Sequence, residues 1–164
     1  MQNQSEIIVG RALMRIDGVD VGYTQGGVSF RKGNSHLDIK ADQAVGTVRK
    51  EITDQVAFVQ TTLLQGTLLH LRKAMGEAVA QQFSGSALSV GAAAPAVVEH
   101  AIVVTGYADS TRAVIRTYTF YRCVAVEEVE HMIGSREAAS IVPVVFEVLK
   151  DEVHDNTFFV ITDN

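Results

Sequence analysis

The chain has 164 residues, 47% of them hydrophobic and 20% charged, with a formal net charge of -5. That length suits one domain, residues 1–164, with a sizeable core, and the composition excludes a disordered chain. The acidic balance argues against gripping DNA or an anionic membrane through Lys and Arg, and a lone cysteine, Cys123, excludes an intrachain disulfide. The opening MQNQSEIIVG lacks the basic and apolar regions of a signal peptide. The run AAAPAVVEHAIVV is too short and too polar to span a bilayer. Synthesis in the cytoplasm and no membrane partner are the expectations.

Gly10–Tyr23 reads as a hairpin around Asp17-Gly18, a dipeptide suited to a two-residue turn with positive φ. Ile16 then faces Val19, Met14 faces Val21 and Ala12 faces Tyr23, with Arg15 opposite Asp20. Gln25-Gly26-Gly27 predicts a bulge, and Lys32-Gly33-Asn34 a turn. Leu37, Ile39 and Ala41 form one face, with His36, Asp38 and Lys40 on the other. On the return limb Ile52, Val56 and Phe58 read as inward, and Glu51, Thr53 and Gln55 as outward. Between the limbs, Ala41–Lys50 has too little apolar surface to bury and is expected to project as a long hairpin loop.

After Gly66 the pattern changes period. Leu68, Leu71, Met75 and Val79 recur at helical spacing, giving a helix from Thr67, a candidate N-cap, to about Gln82. Gly76 weakens its second half by about 1 kcal/mol relative to Ala. Ser84-Gly85-Ser86 and Gly91–Pro95 form a small-residue connection. Val98–Gly106 is a strand and Ala108–Arg112 a polar turn. Val114–Val126 is a long strand with Tyr118, Phe120, Val124 and Val126 on one face. Ala138–Leu149 is another, where Pro143 implies an edge or a bulge, and Thr157–Thr162 closes the sheet. Many strands and one helix predict a mainly β protein, an antiparallel β-sandwich with a single flanking α-helix.

Motifs for chemistry are missing. The five histidines are scattered, and Cys123 has no cysteine partner, so neither matches the four clustered ligands of a zinc site. His70 reads as a polar helix position, and His100 and His131 as half-exposed strand positions. No glycine-rich stretch carries the Lys-Ser/Thr of a phosphate loop, and no Gly-x-Ser-x-Gly elbow occurs. Glu127, Glu128 and Glu130 read as a solvated strand end. Arg49, Lys50, Arg72 and Lys73 lack interleaved aromatics and make a poor nucleic-acid platform. Catalytic, cofactor and metal sites are therefore expected to be absent.

The stretch ADQAVGTVRKEITDQVAFVQTTLLQGTLLHLRKAMG, a polar hairpin tip feeding a long strand and then an amphipathic helix, resembles the tail tube proteins of long-tailed bacteriophages. RTYTFYRCVAVEEVEH, EAASIVPVVFEVLKD and the closing FFVITDN resemble the second half of the same family, so the likeness runs from Gly10 to Asp163. It implies a structural virion protein rather than an enzyme. Hexameric rings would join their inner sheets into one barrel and stack into a tube through which DNA passes without specific binding. Partners would be further copies of the chain and other tail proteins such as the tape measure, tail terminator and distal tail protein. Asp42, Gln43, Gly46, Arg49 and Lys50 become candidates for the loop between rings, and Asp38, Glu51, Thr53 and Gln55 for the lumen wall. The same fold would serve the inner tube of a contractile injection or secretion machine, or another ring of a phage tail. A monomeric β-sandwich binding or enzyme domain is the reading from a different class. No long N-terminal arm of the kind some tail tubes have is present in the sequence, so the segment bridging rings is not fixed by the likeness.

Overall fold

Alternating apolar residues organise the chain into one antiparallel sheet, seen in a computed structural model that describes residues 12–40, 47–64, 67–76, 97–108, 113–126 and 141–164. Its strands are β1 (Leu13–Ile16), β2 (Val19–Asp20), β3 (Thr24–Lys40), β4 (Thr47–Leu63), β5 (Glu99–Tyr107), β6 (Ile115–Ala125), β7 (Val142–Leu149) and β8 (Phe159–Asp163). The helix is α1 (Leu68–Ala74). The order across the sheet is β2-β1-β5-β6-β7-β4-β3, and β8 pairs with β6 beside this path. The acidic group Glu127, Glu128 and Glu130, the predicted turn residues 109–112 and His131 lie outside the described residues.

The core follows the period of two. On β4, Ala57, Val59, Thr61 and Leu63 are buried, and each lies opposite a buried residue of β7: Val148, Phe146, Val144 and Val142. Met14 and Ile16 of β1 face Val104 and Ile102 of β5 in the same way. The Asp17-Gly18 hairpin forms as expected, with φ of 50° and 77°, Arg15 opposite Asp20 and Ile16 opposite Val19. Gly26 and Gly27, at φ 74° and 80°, make the predicted bulge, where the register shifts between Gln25 and Val28.

Four expectations are corrected. On β4 the buried residues are Ala57, Val59, Thr61 and Leu63, whereas Ile52 and Val56, read as inward, are exposed and Phe58 is half-buried. Lys32-Gly33-Asn34 does not turn: β3 runs straight through it, and Val56 lies against the open side of Gly33, 3.4 Å from where a Cβ would stand. Thr67 does cap α1, accepting the His70 amide through its hydroxyl, but the helix stops at Ala74. Gly76 adopts φ 65°, the left-handed ending that glycine favours; residues 77–82 lie outside the described residues. On β6 the buried residues are Phe120 and Cys123, while Val126 is exposed. On β6 an extra residue between Phe120 and Cys123, opposite His100 to Ile102 of β5, shifts the register and reverses the face of the β6 residues after it.

That shift coincides with a hand-over. Leu149 of β7 pairs with Arg122, and Phe159 of β8 pairs with Phe120, so β7 and β8 occupy one side of β6 in sequence. Between them, residues 150–158 loop out through a 3-10 turn, Glu152–His154, closed by a bridge between Asp151 and Thr157. Asp151 holds the turn: its carboxylate accepts Val153 N at 3.1 Å and His154 Nδ1 at 2.5 Å. The His154 ring stacks on Tyr121 at 3.7 Å. Pro143 lies ahead of the point where β6 begins to pair with β7, so its missing N–H leaves no gap in that ladder.

Leu71 and Ala74 are buried and Met75 packs beside them in the core. Leu71→Ala is expected to destabilise the protein by about 2–5 kcal/mol through lost burial and a cavity. Chemical denaturation reads this directly, and an unchanged midpoint would place that face of α1 in solvent. Chiefly the His154 bond holds the Asp151 carboxyl below its ordinary pKa. Stabilisation of the turn is therefore fully present above about pH 4 and lost as pH falls further. The protection factor of the Val153 amide against hydrogen exchange, taken relative to its intrinsic rate at each pH, is expected to fall in acid, and Asp151→Asn to remove that dependence.

Candidate interaction surface

Strands β3 and β4 are seventeen residues each, but β4 stays on β7 only from Leu63 to Ala57. Beyond Ala57 the two strands continue as a ribbon paired only to each other among the described residues. From Val56 to Thr47 this arm is about 30 Å long at the rise of a β-strand. Pairing reaches Lys40 opposite Thr47, so Thr47–Lys50 belongs to the ladder rather than to a loop. The reason is that Val48 and Ile52 are strand formers, and Ile52 has a partner, His36, across the hairpin.

Two bulges set which side chains share a face. Ser35 is opposite Asp54 and His36 opposite Ile52, leaving Thr53 unmatched; Ile39 is opposite Arg49 and Lys40 opposite Thr47, leaving Val48 unmatched. Directly opposed residues point to the same face. One face therefore carries Leu37 with Glu51 and Ile39 with Arg49. The other carries His36 with Ile52 and Asp38 with Lys50. Ion pairs lie along the ribbon, Arg49 to Glu51 at 3.0 Å and Lys50 to Asp38 at 3.3 Å. Amid these charges, large apolar side chains stand in solvent: Leu37 is 53% exposed, Val48 59% and Ile52 54%.

The proposed lumen residues are thus not gathered together. Asp38 and Glu51 lie on opposite faces, Thr53 sits at a bulge, and Gln55 donates to Asn34 Oδ1 at 3.3 Å. Of the candidate loop residues, Arg49 and Lys50 sit near the outer end of the ribbon in the two ion pairs above. Asp42, Gln43 and Gly46 lie outside the described residues.

Where the arm leaves the sheet, a cleft of about 530 Å3 opens between Ile52–Gln55 and Glu147–Lys150, with Phe158 beside it. The ammonium groups of Lys32 and Lys150 lie 5.9 and 5.4 Å from the centre of the Phe158 ring. Phe30, at the root of the arm, meets the rings of Tyr118, Phe120 and Phe159 at 5.2, 6.3 and 5.3 Å. These contacts brace the root of the arm against β6 and β8.

Sequence reasoning missed a polar cluster at the other end of the sheet. Lys73 and His100 are buried, and so is His70, whose Nε2 lies 3.2 Å from the Asp20 carbonyl. Periodicity alone places such residues on a face without saying what fills it; the signal was Lys73, one turn from His70 and next to the apolar stripe. Burial holds the Asp17 carboxyl up, but bonds from His100, the Ala101 amide and Lys73 outweigh it and leave the pKa below the ordinary value. Cys123 is a core residue, its thiol pushed up to about 12 mainly by burial, which leaves it unreactive. Among the described residues no three His, Cys, Asp or Glu side chains group as a metal site, and no helix is long and apolar enough to cross a membrane.

In comparisons with known proteins, the chain matches no family model and no curated sequence.

Proposed function

We propose that this protein is a structural subunit that assembles with copies of itself into rings stacked as a virion tail tube, a conduit for DNA. One observation carries the reading: a paired ribbon about 30 Å long that buries nothing in its own subunit yet exposes Leu37, Val48 and Ile52. A two-stranded ribbon is marginal alone, and exposed apolar residues of this size mark contact surfaces. The outer edge of β3 supports the same reading. From Val28 to Lys40 it pairs with nothing but β4 among the described residues, and open edges invite a further strand. In this reading β7-β4-β3 and β2-β1-β5-β6-β8 are the two layers of a sandwich, supported by the aromatic contacts of Phe30 across it. Adjacent copies continue the inner layer, and the arm reaches the next ring.

Sedimentation and negative-stain microscopy at micromolar concentration test the proposal. Rings or tubes are expected. A single species near the 17.7 kDa chain mass across salt and concentration would refute it. Replacing Val48 and Ile52 by Asp is expected to stop tube growth while changing folding stability by no more than about 0.5 kcal/mol, as at exposed sites. Tubes of wild-type length from that variant would remove the arm from the assembly contact.

DNA is a passenger in this reading. With a net charge of -5, subunits are expected to bind duplex DNA at about 10⁻⁴ M or more weakly at physiological salt. Micromolar affinity in an anisotropy titration would overturn the conduit role.

A further inference from the structure

Lys73, Asp17 and His100 converge where α1 crosses the β1–β2 turn. Lys73 is 3% exposed. Its Nζ donates to the Ile16 carbonyl at 2.5 Å and lies 3.1 Å from Asp17 Oδ2. The Ala101 amide donates to Asp17 Oδ1 at 2.9 Å, and His100 Nδ1 lies 2.8 Å from Oδ2. His100 is 5% exposed, stands edge-on to Phe146, and its Nε2 has no hydrogen-bond partner among the described residues. With Nε2 bare, the ring proton belongs on Nδ1, aimed at the carboxylate. A buried primary amine thus faces a carboxyl group that has an amide donor on one oxygen and a proton donor on the other.

We propose that Lys73 and Asp17 condense into a side-chain amide that ties α1 covalently to the β1–β2 turn, with His100 Nδ1–H as the donor that polarises the carboxyl group. The resting pair is ammonium and carboxylate. One Lys73 proton passes to Oδ2, 3.1 Å away, cancelling both charges. The Nζ lone pair then attacks Cγ; a C–N bond forms, and the C=O π electrons move to Oδ1, where the Ala101 N–H stabilises the oxyanion. In the tetrahedral intermediate Nζ carries two protons and a positive charge; it gives one to the Oδ2 hydroxyl while His100 Nδ1–H stays hydrogen-bonded to that oxygen, the C–O bond breaks as the carbonyl re-forms, and Oδ2 leaves as water. The third Nζ proton stays on the amide nitrogen. The sum is ammonium plus carboxylate giving amide plus water, with no change of oxidation state. The Asp17 side chain is 41% exposed on its remaining side, which gives the water a way out. The link closes a loop from residue 17 to residue 73 that contains the whole arm, and it limits the unfolded chain as a disulfide would, in a protein with one cysteine.

Intact mass under denaturing conditions decides the matter. The wild-type chain is expected to be lighter than its sequence by one water, and proteolysis to give a branched peptide joining Asp17 to Lys73. Lys73→Arg keeps the charge but, remaining protonated, is expected at full sequence mass. His100→Phe keeps a ring against Phe146 and is expected to slow bond formation by about 10²–10³-fold through loss of that donor, with circular dichroism confirming the fold. Asp17-Gly18 can also lose water by closing on its own backbone. Water loss that survives in Lys73→Arg, or that hydroxylamine reverses, would assign the change to that ring and overturn the proposal. Wild-type protein at full sequence mass would overturn it as well.

Discussion

The ladder between β4 and β7 stops at Ala57 opposite Val148, and most of the architecture depends on that stop. Up to this point every second residue of β4 buries its side chain against one from β7, and each such pair adds two residues to the core. Past it β7 ends at Leu149 and the chain swings out, while β4 continues without a partner on that side. Seventeen-residue strands on a sheet whose central ladder is seven residues long leave a ribbon with nothing to cover it. The hydrophobic effect that assembles the core therefore creates an exposed surface at its boundary.

The looped residues 150–158 make that boundary abrupt. A continuous strand in their place would carry pairing with β4 further along the arm. Instead, Asp151 is spent on two local bonds and His154 on the Tyr121 ring, and Asp155 and Asn156 both take left-handed φ values of 55°. Asp and Asn tolerate that conformation better than most residues. The excursion is held in place by its own side chains, so the arm's freedom is built into the neighbouring strand as well as into the arm.

Much of this was legible in the sequence where local chemistry dictates it. Asp17-Gly18 needs positive φ and fixes its hairpin; Gly26-Gly27 announces a bulge; Thr67 offers a cap. Failures came where one residue of register decides the face. Thr53, Val48 and the shift opposite His100 each add a residue to one strand, and period-two reading then assigns the wrong side to all that follows. Gly33 misled for a different reason: a glycine between polar neighbours reads as a turn, whereas here it makes room for Val56 across the ladder. Lys73 and His100 were misjudged because a buried polar group is improbable until its partners are known, and those partners, Ile16 and Asp17, are distant in sequence.

The charges on the arm have a physical sense that its apolar residues alone do not explain. A long flat edge with exposed Leu, Val and Ile would pair with any available strand, including those of unfolded chains. Lys32, Arg31, Asp38 and Lys40 along β3 oppose such contacts, since each cation or carboxylate must find its counter-charge or lose hydration. Within the arm, Lys50–Asp38 and Arg49–Glu51 are exposed pairs of small individual worth. In the proposed assembly their effect is on choice of partner: a surface that matches both the apolar residues and the charge order gains, and one that matches only the apolar residues does not. A homotypic assembly satisfies this condition at low cost, because the same sequence supplies both surfaces to every copy. The bulges at Thr53 and Val48 sharpen it further, since a strand added in the wrong register would meet backbone groups that are out of step.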